Sequence, residues 1–226
     1  MSGAHELSAD DKTENLGRRE RRKQQTRRAL LDAAMELFAD RGLYATRLED
    51  ITERADLGKG AFYNYFESKD ALIAELISEG VQRVSDNLEN IDRSGTFKER
   101  VAFVAQEHER FFDEHPEQIV LFHQARGLLK VKSQGTSRLR NAFASYLLMI
   151  GAALWGPECV ELAGEVEERR LDTATALVGA IAGYRSFRMA VGAPVKAETI
   201  VGMLTSGLPD DASVGSIVSV NAKRPA

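Results

Sequence analysis

A chain of 226 residues that is 43% hydrophobic and 28% charged has the make-up of a folded globular protein, long enough for one large or two small domains. No run approaches the roughly 20 apolar residues of a membrane span, and the opening MSGAHELSADDKTENLG has no apolar signal core. Its single cysteine, Cys159, allows no internal disulfide, which fits a reducing cytoplasm, and the net charge of −4 means that any nucleic-acid surface must come from a local concentration of cations.

Residues 1–17 are polar and acidic without periodicity and are expected to form a disordered leader. Residues 18–28, RRERRKQQTRR, set seven cations against Glu20 alone and net +6. Such a run is usually a solvated face. Beside a DNA-reading element it becomes a phosphate-binding arm, with Arg22, Lys23 and Arg27 as candidate contacts. The first helix is expected to begin near Lys23–Thr26. Leu30, Ala33, Ala34, Leu37 and Phe38 form its buried stripe, and Gly42 supplies a left-handed stop after Arg41.

The stretch from Thr46 to Lys69 carries the most specific pattern. Leu48, Ile51 and Ala55 give a short helix one apolar face, and Thr46 with Glu49 three residues later has capping-box spacing. Asp56-Leu57-Gly58 supplies a turn. A second helix is expected from Lys59 to about Phe66, with Phe62 and Phe66 as its buried side. Lys59, Gly60, Ala61, Tyr63, Asn64 and Tyr65 are left for its other faces. Lys59 and the tyrosine hydroxyls can hold phosphates, Asn64 can read a base edge, Ala61 can touch a thymine methyl, and Gly60 allows close backbone approach. The bland alternative is that the tyrosines finish the packing of a small domain.

These pieces together resemble the DNA-binding domain of TetR-family transcriptional regulators. The resemblance covers residues 24 to 77. It is carried by TRRALLDAAMELFADRG, Tyr44, Thr46, Asp50-Ile51, the run Leu57-Gly58-Lys59-Gly60-Ala61-Phe62-Tyr63-Asn64-Tyr65-Phe66, and Ser68-Lys69-Asp70-Ala71-Leu72. Two positions depart from the pattern: Gly58 stands where such proteins often carry a serine cap, and Ala61 where many carry threonine. The resemblance implies an all-α protein. An N-terminal three-helix helix-turn-helix domain would bind double-stranded DNA, and a C-terminal helical bundle would bind a small molecule and form the homodimer. It extends the candidate DNA contacts to Thr46, Arg47 and Lys69. It implies a repressor that occupies a palindromic operator and is released by its effector, with no cofactor.

Beyond Ser68, a good N-cap, a helix is expected to run to about Ile91. The soft boundary between DNA-binding domain (18–80) and effector domain (81–208) falls inside it. Further helices are expected over Phe97–His115, from Pro116 to about Leu129, and over Ser137–Trp155, Glu165–Val191 and Val195–Leu208, followed by a flexible tail at 209–226. No strand alternation of any length occurs. The Glu165–Val191 helix is apolar on two sides, so one face can pack its own subunit and the other a second copy. Leu177, Ile181, Phe187, Ile200 and Leu204 are the candidate dimer contacts.

Aromatic and polar residues interrupt these apolar helices: Phe111, Phe122, His123, Arg126, Tyr146, Met149, Trp155, Tyr184 and Arg188 are candidate pocket residues. Periodicity alone does not separate a pocket from an ordinary core with snorkelling arginines. No metal is expected, because His108 and His115 lie about 10 Å apart along a helix axis, too far for zinc bonds of about 2 Å. A second functional class stays open, an all-helical carrier or enzyme with a vestigial DNA-binding domain. Against it, no nucleophile–base spacing or phosphate-cradling glycine loop appears.

Overall fold

The computed structural model describes residues 9–129, 136–155 and 165–208. Among them lie eight α-helices and one 3-10 helix: α1 (Ala9–Arg41), α2 (Leu48–Arg54), the 3-10 helix (Lys59–Asn64), α3 (Lys69–Leu88), α4 (Phe97–Glu114), α5 (Pro116–Leu128), α6 (Thr136–Trp155), α7 (Glu165–Ala190) and α8 (Ala197–Thr205). The expected all-α architecture is the observed one. The expected tail at 209–226 and Cys159 lie outside the described residues.

Helix α1 begins at Ala9, not near Lys23, so residues 9–17 are helical and not the disordered leader expected of them. Leu30, Ala34 and Phe38 are almost wholly buried, whereas residues 18–25 are all exposed. The basic segment is therefore a helix standing clear of the core. Helix α1 ends as its sequence dictates: Gly42 adopts φ +84° and its N–H donates to the Phe38 carbonyl at 3.0 Å.

The expected Thr46–Glu49 capping box does not form. Thr46 is buried, and its hydroxyl donates to the Gly42 carbonyl at 2.8 Å, which closes the end of α1. The cap sits one residue later, where the Asp50 carboxylate accepts from the Arg47 N–H at 2.8 Å. The turn before the 3-10 helix is made by Asp56, at φ 54°, rather than by a glycine; aspartate tolerates this left-handed conformation better than most residues. Ser68 caps α3, accepting from the Ala71 N–H at 3.1 Å. A true capping box opens α4, where Thr96 accepts from Glu99 N–H at 3.2 Å and the Glu99 carboxylate accepts from Thr96 N–H at 2.6 Å.

The helices share one buried core. Helix α3 belongs to both halves, with Leu72, Ile73, Leu76 and Ile77 buried near its start and Val84 and Leu88 near its end. Gly80 faces Gln118 and Phe122 so closely that a Cβ would stand 2.9 Å from the Gln118 oxygen, which is why α5 can lie tight against α3. Two buried cations brace the bundle. Arg100 donates to the Leu154 carbonyl at 2.7 Å and to the Gly95 carbonyl at 2.6 Å, fixing the end of α6 to the start of α4. Arg185 on α7 reaches Glu109 at 2.7 Å and Asp113 at 2.6 Å on α4.

Candidate nucleic-acid interface and effector cavity

The segment Lys59–Asn64 is a six-residue 3-10 helix rather than the expected eight-residue α-helix. At about 2 Å rise per residue it is still about 12 Å long. Phe62 is wholly buried and Phe66 nearly so, with their ring centroids 5.6 Å apart. That anchor turns Lys59, Gly60, Tyr63 and Asn64 outward, with Tyr63 64% exposed. Ala61 and Tyr65 are half-buried at the flanks. No atom lies within 4 Å of a Cβ placed on Gly60, so the backbone there is open to a partner.

Lys59 pairs with Glu49 across the turn at 2.8 Å. The hydrogen bond and charge of Glu49 raise the Lys59 pKa, and Lys59 in turn lowers that of Glu49. Both groups are solvated, so a phosphate can replace the carboxylate. Arg47, Arg22 and Lys23 are exposed, with no ion-pair partner among the described residues.

Three expected DNA contacts are instead structural. Lys69 donates to the Thr46 carbonyl at 2.6 Å and to the Leu43 carbonyl, and its burial lowers its pKa. It ties the α1–α2 loop to α3 and is not turned toward a ligand. Thr46 is buried, with its hydroxyl used inside the fold. Arg27 pairs with Glu75 on α3 and lies 4.9 Å from the centroid of the Phe66 ring, so it holds α1 against the aromatic anchor. Among the described residues, Arg22 and Lys23 on the exposed helix before Thr26 are basic groups that no ion pair takes up.

Between α4, α5, α6 and α7 lies an apolar cavity of about 160 Å³. Phe112, Phe122, Phe143 and Tyr146 line it, with Phe122 packed edge-on against Phe143 and Tyr146 at 5.9 and 5.7 Å. Behind Tyr146 stands His108, fully buried. The His108 Nδ1–H donates to the Val104 carbonyl at 2.6 Å, so Nε2 is left to accept the Tyr146 hydroxyl proton at 2.6 Å. Burial lowers the His108 pKa to about 4 and raises that of Tyr146, which keeps the pair neutral.

Of the nine residues expected at a pocket, Phe122, Arg126 and Tyr146 line this cavity. The others are dispersed. Phe111 is core, and Trp155 packs on Phe97 with centroids 6.2 Å apart. Met149 is half-buried on α6 outside the cavity lining. Tyr184 donates to the Lys196 carbonyl at 3.4 Å and Arg188 to the Pro194 carbonyl at 2.7 Å, so both fix the α7–α8 loop. His123 faces a separate outer groove beside Ser186 and Met189. Sequence reading missed Val178, Gly179 and Ala182, small α7 residues that line the cavity and carry no signal apart from ordinary helix packing.

The expected dimer contacts also divide. Leu177, Ile181 and Ile200 are buried within the subunit, and Leu204 is half-buried. Phe187 is 77% exposed, and Met203 on α8 65%. Among the described residues of α7, α8 and the turn between them, the most exposed large apolar side chains are Phe187, Val191 and Met203.

Among the described residues no helix is long and apolar enough to cross a membrane, and no cluster of three metal-ligating side chains occurs. Residues 30–76 match the model of the bacterial regulatory proteins, tetR family. Curated relatives include the HTH-type transcriptional repressor KstR2 of Rhodococcus jostii, 39% identical over 69 residues, which are 30% of this chain and 30% of that protein. The fatty acid metabolism regulator protein of Bacillus subtilis is 29% identical over 80 residues, 35% of this chain and 41% of that one. The chain thus spans about a third of the length of these two relatives. The fold likeness is wider. The transcriptional regulator FadR from Bacillus subtilis, solved with stearoyl-CoA, aligns over 80% of this chain and 98% of its own, with TM-score 0.60 and 17% identity. FadR from Bacillus halodurans aligns over 81% and 96%, with TM-score 0.61 and 15% identity.

Proposed function

We propose that this chain, a tetR-family protein by its residues 30–76, is a cytoplasmic transcriptional repressor that binds a palindromic operator as a homodimer and leaves it when a small molecule fills the C-terminal cavity. Residues 18–80 form the DNA-reading unit, and 81–208 the effector-binding and dimerisation unit. The observation that carries this reading is the 3-10 helix. It is anchored by buried Phe62 and Phe66 and leaves Lys59, Gly60, Tyr63 and Asn64 exposed. Asn64 reads a base, Lys59 and Tyr63 hold phosphates, and Gly60 brings the backbone close. The exposed basic helix of α1 supplies sequence-independent attraction, as Arg22 and Lys23 meet the DNA backbone.

One such edge makes few base contacts. Two on a two-fold axis, about 34 Å apart, read both halves of a palindrome. The exposed Phe187, Val191 and Met203 surface is where a second copy buries apolar area.

Release follows from how the two units touch. Gln124 on α5 holds the α1–α2 loop, and Arg138 on α6 pairs with Glu67, just before α3, at 2.8 Å. Both helices also line the cavity, through Phe122 and Arg126 on α5 and Phe143 and Tyr146 on α6. A ligand that spreads these helices shifts both attachment points. Typical coupling of about 1–3 kcal/mol needs only that the ligand prefer the shifted geometry by that amount. The likeness to a regulator solved with stearoyl-CoA supports a small-molecule effector.

The test is electrophoretic retardation of the intergenic DNA upstream of the chain's own gene against random DNA of equal length. Selective retardation supports the repressor. A carrier or enzyme with a vestigial DNA-binding domain would retard neither.

A further inference from the structure

The cavity between α4 and α7 has a chemical asymmetry. Its body is aromatic, formed by Phe112, Phe122, Phe143 and Tyr146. Its one cation is Arg126, exposed to solvent and lining the same cavity. No carboxylate among the described residues pairs with Arg126; its hydrogen bond is donated to His123 Nδ1, at 3.2 Å. By contrast, Arg185 on α7 is paired with carboxylates of its own fold, Glu109 and Asp113. Arg126 stands in the last turn of α5, where a cation is favourable, and a guanidinium beside an apolar hollow is also suited to a planar anion.

Size limits the ligand further. An apolar cavity of about 150 Å³ holds one benzene ring, and this one measures about 160 Å³. The four rings meet edge to face, an arrangement that a further ring can join. The Tyr146 hydroxyl is donated outward to His108, so the aromatic body offers the ligand no competing donor from that side chain.

We propose that the cavity is a site for a small aromatic carboxylate, its single ring among Phe112, Phe122, Phe143 and Tyr146 and its carboxylate paired with Arg126. This deepens the reading of the cavity as the effector site and rests on it. The test is made on the protein without DNA, so that failure of DNA recognition leaves its outcome readable. Titration calorimetry of the full chain is run with benzoate, toluene and palmitate. Benzoate is expected to bind saturably. Arg126→Ala is expected to weaken benzoate about tenfold or more, the loss expected for a charge-assisted pair, while toluene affinity is unchanged. Arg126→Lys keeps the charge without the fork and is expected to fall between the two. Arg126 is exposed, so unchanged circular dichroism is expected of both variants. No saturable heat with benzoate, equal benzoate affinity in Arg126→Ala, or tighter binding of palmitate than of benzoate would each overturn the proposal.

Discussion

The Gln124 side-chain oxygen accepts a hydrogen bond from the Leu43 backbone N–H at 2.6 Å, and the Tyr44 hydroxyl donates to the Gln124 carbonyl at 3.2 Å. The α1–α2 loop is thus held by one residue of α5. Gln124 lies two residues from each of Phe122 and Arg126, which line the cavity. Removing its amide leaves the Leu43 N–H unpaired beside a buried side chain. Gln124→Ala is expected to lower stability by about 1–3 kcal/mol, read by urea unfolding. It is also expected to reduce the effect of ligand on DNA affinity. Unchanged ligand release in that variant would move the coupling to Arg138 and Glu67.

The outward edge of the 3-10 helix separates two kinds of contact. Asn64→Ala is expected to relax sequence preference, because a base contact is lost. Lys59→Ala is expected to weaken all sequences alike and to flatten the salt dependence by about one unit. Glu49 pairs with Lys59, and in the proposed complex it would compete with a phosphate for that cation. Glu49→Gln should therefore strengthen binding to any duplex and make it more sensitive to salt. Anisotropy titrations on operator and random duplexes distinguish these outcomes, and unaltered operator preference in Asn64→Ala would remove that residue from base reading.

The buried His108 carries a pH signature. In the unfolded chain it takes up a proton near 6.5, and in the fold only near 4, because burial disfavours the charge. Between those values the unfolded chain holds more protons, so this contribution to stability is complete above about pH 6.5 and is lost as pH falls towards 4, by about 3 kcal/mol in all. His108→Gln can still accept from Tyr146 but does not titrate. The difference in unfolding free energy between wild type and this variant is expected to shrink or reverse on acidification through that window. A difference independent of pH would refute the assignment.

The exposed faces of α7 and α8 make a prediction about assembly. Phe187 and Met203 are exposed in one subunit, so their replacement costs that subunit little. Phe187→Glu with Met203→Glu is expected to give a folded monomer in analytical ultracentrifugation, with weakened operator binding. A dimer that persists in the double variant would place the interface on another face.

The readable parts of this fold were those set by local chemistry. Gly42, Ser68 and Pro116 bound their helices as their local preferences dictate, and Phe62 and Phe66 anchor the 3-10 segment. What depended on distant partners was not readable. Arg27 and Lys69 look like phosphate ligands in sequence, but Glu75 and the carbonyls of Leu43 and Thr46 claim them only once the chain has folded. The 3-10 geometry was hidden for a related reason. Gly58, Gly60 and the aromatic run give an α-helix little intrinsic support, so packing of Phe62 and Phe66 decides the local winding. The large aliphatics Leu177, Ile181 and Ile200 went to the subunit's own core, which left Phe187 and Met203 outside; helical periodicity marks both faces alike.

The central claim is that the 59–64 edge reads DNA in a two-fold assembly. Its most direct test is fluorescence anisotropy of the purified chain on its own upstream intergenic DNA and on a random duplex, across a salt series. The expected result is saturation at two chains per palindromic site, a preference over random DNA of at least about 10³-fold, and a linear fall of log affinity with log salt. Equal affinity for both duplexes at every salt concentration would contradict it.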